Sequence, residues 1–145
     1  MAYSTDEDIY DRLGEDTVRR LTDDDQAGAV DTQVLSRVRT SVARKIDVYL
    51  RSQYDLPIDD EEAQEVLAAL EVDILAHRLY ARRSNVEVPA SITELKDEAF
   101  DRLKRIAKHG GLGVDQDGDG ADDGGSTLQV RSTDRETLRD KIEKF

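Results

Sequence analysis

A chain of 145 residues is long enough to bury one hydrophobic core, and its 33 acidic against 21 basic residues give a formal net charge of −12. A field of that sign disfavours direct wrapping of nucleic acid, and the absence of cysteine excludes disulfides and thiolate zinc sites. The first residues form no secretory signal and no apolar run approaches the roughly 20 residues that span a bilayer, so we expect no membrane anchor.

The acidic bias has a particular composition, because Asp outnumbers Glu and Arg outnumbers Lys. Dense carboxylates of this kind are typical of haloarchaeal proteins, whose surfaces stay hydrated while salt screens the repulsion. An ordinary acidic surface of a mesophilic protein explains the composition equally well. The two interpretations predict different responses of thermal stability to multimolar salt.

The first third of the chain predicts two short helices. Thr5 and Asp8 form a capping box for the first helix, and Gly14 is placed to end it. A second helix is predicted over residues 15–21, followed by a loop over 23–28. Asp31 then caps a long helix whose apolar stripe recurs at three- and four-residue steps over Val34, Leu35, Val38, Val42, Ile46, Tyr49 and Leu50.

Two further long helices follow. The first long helix should end near Gln53, because Pro57 disfavours helical geometry in the residue before it. The next begins after Asp59 or Asp60, with a buried stripe of Val66, Leu67, Leu70, Ile74, Leu75 and Leu79. Pro89 interrupts the following linker, and Ser91 with Glu94 predicts a capping box for a last helix that ends at Gly110–Gly111, with Ile92, Leu95, Ala99, Leu103 and Ile106 on one face.

These patterns predict an all-α fold, a small helical bundle with a long antiparallel helix pair, over residues 1–112. Residues 113–125 are an Asp/Gly-rich linker or metal loop, which cannot bury apolar area. Residues 126–145 are predicted to form an extended arm with a short strand and a short amphipathic helix. That arm needs a partner surface, which its apolar residues would contact: Leu128, Val130, Leu138, Ile142 and Phe145.

The Asp/Gly-rich segment resembles a calcium loop. Asp115, Asp117 and Asp119 match its first three ligand positions, and Asp123 falls at the ninth. The twelfth position, where a bidentate Glu should stand, is Ser126. Calcium or magnesium is therefore a candidate ligand, and a self-repelling acidic linker that binds no metal is the alternative.

The residues predict no enzyme. His77 is the histidine on the third long helix, and no nucleophile or carboxylate is motif-placed around it, so we expect a packing or surface residue. Six arginines could form a basic face for nucleic acid: Arg37, Arg39, Arg44, Arg78, Arg82 and Arg83. The alternative is that they are solvated partners of the many nearby carboxylates.

Four segments resemble the head–tail connector family of Mu-like tailed phages. The segment RKIDVYLRSQYDLP over residues 44–57 is similar to that family's first signature block, and DILAHRLYARR over 73–83 is similar to its second. The opening YSTDEDI over 3–9 and the loop GAVD over 28–31 fit as well. The resemblance covers about residues 2–112 and suggests, with the composition, a haloarchaeal tailed virus.

The resemblance implies a non-catalytic all-α subunit that assembles in the host cytoplasm into a ring of twelve copies at the virion neck. That ring would join the portal to the next neck or tail protein and line a channel through which DNA passes without specific binding. The signature residues would then serve packing: Ile46, Leu50, Ile74 and Leu79 in the core, Tyr49, Tyr54 and Tyr80 as amphipathic packers, Leu56 and Pro57 at the hairpin stop, and Asp47, Asp73 and Arg78 as polar members.

Further expectations follow from this interpretation. Asp47 and Arg78 would pair between the two helices, and an acidic lumen would keep DNA from adhering. The segment after Leu112 departs from the family ending, and we expect it to grip the portal or a neighbouring subunit. The alternative function is a calcium-ordered helical adaptor or regulatory module outside any virion, which a calcium-dependent change of oligomeric state would favour.

Overall fold

The computed structural model describes residues 2–112 and contains five α-helices in that range. They are α1 (Asp6–Leu13), α2 (Glu15–Thr22), α3 (Thr32–Leu50), α4 (Glu61–Ala81) and α5 (Ala90–His109). The predicted all-α bundle is confirmed. The Asp/Gly-rich loop and the C-terminal arm, with their metal and partner residues, lie outside the described residues.

Local capping sets the starts of three helices as the sequence predicts. The Thr5 side chain accepts from the Asp8 backbone N–H while the Asp8 carboxylate accepts from Thr5, which completes the predicted capping box of α1. Asp31 caps α3 through the backbone N–H groups of Gln33 and Val34. Asp60, one of the two predicted candidates, caps α4.

The predicted start of α5 and the predicted end of α3 are wrong. The Ser91–Glu94 capping box is absent, because α5 begins at Ala90 and Pro89 occupies the cap position. The Pro89 carbonyl accepts from the backbone N–H groups of Ile92 and Thr93 at 3.1 and 3.2 Å, so Ser91 already lies inside the first turn. Helix α3 ends at Leu50 rather than near Gln53, because the chain turns there and the Gln53 and Tyr54 N–H groups both bond the Leu50 carbonyl.

Helix α4 is the centre of the bundle and contacts all four other helices. Its buried residues lie on more than one face, since Val72 and Ala76 are buried in addition to the predicted stripe. Helices α3 and α4 form the predicted antiparallel pair, joined by the segment that contains Pro57. The core therefore surrounds α4, while α3 and α5 each keep an outer face in solvent.

Helices α3 and α5 run side by side in the same direction. The Tyr49 and Phe100 rings lie 6.2 Å apart between centroids, and further along, the Ser52 and Gln53 side chains donate to the Ala107 carbonyl at 3.1 and 3.0 Å. Beyond α5, the backbone N–H of Leu112 donates to the buried Tyr54 hydroxyl, 3.2 Å away. Within residues 2–112, no helix combines the length and apolar character needed to cross a bilayer.

Candidate assembly surfaces

The signature residues divide into core and polar members. Ile46, Leu50, Ile74 and Leu79 are at most 1 % exposed and form the core, as predicted. Tyr54 is also buried, whereas the other aromatic and loop members, Tyr49, Tyr80 and Leu56, are partly buried against that core, and Pro57 is exposed in the turn. The signature is therefore largely a packing motif of the α3–α4 hairpin.

Two carboxylates of the hairpin, Asp47 of the signature and Glu71 outside it, bind the N-terminal segment, defined here as residues 2–5. The Tyr3 hydroxyl donates to Asp47 on α3. The backbone N–H groups of Tyr3 and Ser4 both donate to one carboxylate oxygen of Glu71 on α4, the first at 2.9 Å. The segment thus bridges α3 and α4 through two carboxylates, of which Asp47 is partly buried and Glu71 is fully buried.

Ion pairs extend this attachment into α1. Asp6 pairs with Arg39 on α3, and Arg12 pairs with Asp73 on α4 at 2.7 Å. The predicted Asp47–Arg78 pair is wrong, because Asp47 is held by Tyr3, and Arg78 is exposed without an ion pair among the described residues. The signature carboxylates therefore connect the hairpin to the N-terminal part of the chain rather than to each other.

Glu71 is the buried carboxylate that the sequence interpretation missed. Its side chain is fully buried, and burial raises the pKa of Glu71 although the Ser4 and Tyr3 hydrogen bonds and Arg39 lower it. Burial likewise raises the pKa of Asp73, against the influence of Arg12. A signal was present, since Glu71 falls four residues from both Leu67 and Leu75, inside the predicted apolar stripe.

The outer face of α3 carries what we call the basic stripe: Arg37, Arg44, Lys45, Val48 and Arg51. Steps of three, four and seven residues place them on one side of the helix over about 20 Å. Asp47, the one carboxylate of α3, lies at the margin of the stripe, three residues from Arg44 and four from Arg51, and it accepts the Tyr3 hydroxyl. Val48, at the centre of the stripe, is 68 % exposed.

The arginines divide into two groups. Arg82 and Arg83 pair with Asp24, in agreement with their interpretation as partners of nearby carboxylates. Arg37 and Arg44 are exposed on α3, and within residues 2–112 the structure shows no ion pair for either of them. Lys45 in the same stripe lies over the Phe100 ring, 4.8 Å from its centroid.

An open groove of about 580 Å³ separates α1 from α4, and we call it the acidic groove. Its lining includes the carboxylates of Asp8, Asp11 and Glu65 and the small apolar side chains of Ala68 and Ala69. Val72 and Arg12 complete the lining. The carboxylates of Asp11 and Glu65 have no hydrogen-bond partner in the part of the chain that the structure describes. The lining therefore combines three carboxylates and one arginine with small apolar side chains.

The surroundings of His77 and the metal-ligand types complete the description of the site. His77 is half-buried among Lys96, Arg78 and Asp97, and burial followed by the two cations lowers its pKa. No group of three or more His, Cys, Asp or Glu side chains within residues 2–112 is placed to hold a metal ion. What the geometry offers is two charged surfaces on different helices.

Comparison with known proteins identifies one family. The model of the family described as "Bacteriophage Mu, Gp36" matches residues 3–130, which include the whole helical domain and both signature segments. No curated protein matches the chain.

Proposed function

The chain belongs to the bacteriophage Mu Gp36 family, and from that membership we propose that it is a structural head–tail connector subunit of a tailed virus. It assembles without turnover into a ring, of twelve copies, between the portal and the next neck or tail protein. DNA passes through the ring without specific binding.

The match over residues 3–130 carries this proposal, since it places the helical domain in a phage family as a unit. Two features of the described residues support an assembly role. The chain presents a cationic outer face on α3, with an exposed apolar residue at its centre, and an acidic groove between α1 and α4. Unpaired charge and exposed apolar area of this kind are suited to contacts with other protein molecules.

Mass measurement of the purified full-length chain, alone and mixed with the portal protein of the same virus, tests the proposal. We expect a complex with portal whose mass corresponds to about one chain per portal subunit. A chain that neither oligomerises nor binds portal under any salt condition in which it is folded would contradict the proposal. A helical protein of similar charge from outside the family serves as the control for nonspecific adhesion.

The C-terminal part, which lies outside the described residues, keeps its predicted role as an arm that grips the portal or a neighbouring subunit. Deleting residues 113–145 should leave the helical content of the domain unchanged, because the core lies within residues 2–112. The deletion should reduce assembly on the portal. Unchanged assembly of the shortened chain would contradict the arm.

The proposals on metal and salt have their own tests. Titration of the full-length chain with calcium, followed by calorimetry, should give heat below millimolar concentration if Asp115, Asp117, Asp119 and Asp123 hold the ion. A variant with these four residues changed to Asn is the matched control. A calcium-dependent change of oligomeric state without portal binding would instead favour the adaptor function outside a virion.

A further inference from the structure

The two charged surfaces have complementary chemistry. The basic stripe has four cations around one exposed valine, and the acidic groove has three carboxylates beside two alanines, with Arg12, which pairs with Asp73, as its one cation. Oppositely charged surfaces with matching apolar centres are the arrangement expected of two faces that meet. In a chain of net charge −12, this side of α3 carries four cations, and the carboxylate at its margin, Asp47, is already bound by Tyr3.

The two surfaces also lie on different parts of the bundle. Helix α1 contacts α4 and α2, and the groove side of α4 carries Glu65, Ala68 and Ala69. The stripe lies on the solvent side of α3, which packs its other side, including Leu35 and Ile46, into the core. A single molecule can therefore use both surfaces at the same time.

We propose that copies of this chain associate head to tail, with the basic stripe of one copy docked in the acidic groove of the next. Val48 of one copy then packs on Ala68 and Ala69 of the next, and Arg44 and Arg51 meet the carboxylates of Asp11 and Glu65. The contact is heterologous, so each copy keeps one free surface of each kind, and repetition closes a ring or extends a chain. This inference rests on the proposed function, whose ring it supplies with a subunit interface.

Cysteine trapping tests the contact directly, because the natural chain contains no cysteine. A full-length Val48→Cys variant is mixed with an Ala69→Cys variant that carries a tag of different mass, at the lowest salt at which both are folded. We expect a disulfide-linked heterodimer under mild oxidation. In the control mixture, Ser91→Cys replaces Ala69→Cys, since Ser91 is exposed on α5 and lies in neither surface. Equal trapping in both mixtures would overturn the proposal.

Charge reversal separates this contact from random collision. Arg44→Glu with Arg51→Glu in the Val48→Cys chain should reduce trapping at least about tenfold, because each attraction at the rim becomes a repulsion. Combining that chain with Asp11→Lys and Glu65→Lys in the Ala69→Cys partner should restore it. Arg102→Glu with Arg105→Glu changes the net charge equally on exposed positions of α5 and should leave trapping unchanged. Absence of rescue would contradict the proposed pairing.

Other occupants of the stripe give different results, and each of them overturns the proposal. Predominant disulfides between two Val48→Cys chains would indicate that identical faces meet. Trapping of Val48→Cys by Gln116→Cys, with none at Ala69→Cys, would assign the stripe to the acidic segment of the chain. Retention on duplex DNA that Arg44→Glu with Arg51→Glu abolishes, with trapping at the level of the Ser91 control, would assign the stripe to phosphates.

The head-to-tail contact and the proposed function can fail independently of each other. A ring that assembles on the portal without trapping between positions 48 and 69 refutes the head-to-tail contact and leaves the connector role standing. Specific trapping in a protein that never binds portal refutes the connector role and leaves the contact standing. The mass measurement and the trapping experiment therefore address different claims.

Discussion

Replacing Glu71 by alanine tests how the N-terminal segment is attached. The substitution removes the carboxylate oxygen that accepts the backbone N–H groups of Tyr3 and Ser4. Each buried N–H left without an acceptor costs about 1 to 3 kcal/mol. The total cost is limited because a released segment can form these hydrogen bonds with water instead. We expect Glu71→Ala to lower the free energy of unfolding by about 2 to 4 kcal/mol.

Glu71→Gln is the matched control, because it keeps the shape of the side chain and a carbonyl oxygen that can accept the same two bonds. It removes only the charge. Burial raises the pKa of Glu71 in spite of its hydrogen bonds, so desolvation of the carboxylate outweighs them. At pH 7 we therefore expect Glu71→Gln to lie within about 1 kcal/mol of the natural chain, on the more stable side.

The pH dependence of this difference has a definite sign. The folded pKa of Glu71 is raised above 4.5, so the folded state binds the proton more tightly than the unfolded state. The stability that this carboxyl contributes is fully present below pH 4.5, which is its pKa in the unfolded chain, and is lost as the pH rises through the folded pKa. Glu71→Gln has no such proton, so its advantage over the natural chain should grow with pH. Asp73, whose pKa is also raised, is present in both proteins.

Urea unfolding followed by circular dichroism measures all three proteins from about pH 5.5 to 8, above the pI near 4.6 so that they stay dissolved. If Glu71→Ala is as stable as Glu71→Gln, the carboxylate does not hold the segment. If Glu71→Gln loses as much stability as Glu71→Ala, the charge is required, and the reasoning from burial is refuted.

Three further predictions concern the caps, the end of the described chain and the salt response. Asp31→Ala should cost about 1 kcal/mol of unfolding free energy in urea, because two N–H groups at the start of α3 lose their acceptor, whereas Asp31→Asn should cost less; equal losses would contradict the cap. Tyr54→Phe should lower stability by about 1 to 2 kcal/mol and accelerate amide hydrogen exchange at Leu112, and unchanged exchange would show that the Tyr54 hydroxyl does not protect that amide. If the composition is halophilic, the thermal midpoint should rise from low to multimolar salt, and a flat response favours a mesophilic protein.

The sequence predicts most of the fold because local signals determine it. The caps at Thr5 and Asp31 act within three residues, and the three-and-four-residue spacing of apolar positions identifies the buried faces of α3 and α4. The start of α5 was missed where two local signals compete. Pro89 and Ser91 both favour a helix start, and the Pro89 carbonyl accepts the first helical hydrogen bonds two residues before the predicted cap at Ser91.

The candidate surfaces were less predictable, because they depend on which residues of different helices meet. Tyr3 bonds to Asp47, which is 44 positions further along the chain, and to Glu71, which is 68 positions further along. No local sequence pattern encodes contacts over such separations. The basic stripe is similar. Helical spacing groups Arg44 with Arg51, but only the packed bundle shows which side of α3 faces the core and which faces solvent.

The attachment of the N-terminal segment gives three of the resemblance segments a common physical basis. Residues 3–9 are the opening segment, Asp47 lies in the first signature block and Asp73 lies in the second. The folded chain joins these segments through the Tyr3–Asp47 hydrogen bond and through the ion pair between Arg12 of α1 and Asp73. Asp47 thus attaches the N-terminal segment to α3, and Asp73 attaches α1 to α4. Since α1 forms one wall of the acidic groove, loosening of this attachment should change the groove and leave the basic stripe intact. Tyr3→Phe, which removes only the hydroxyl that donates to Asp47, should therefore reduce trapping at Ala69→Cys when it is placed in the chain that supplies the groove. The same substitution in the chain that supplies Val48→Cys should have little effect, and equal effects in both chains would show that the segment supports the bundle as a whole.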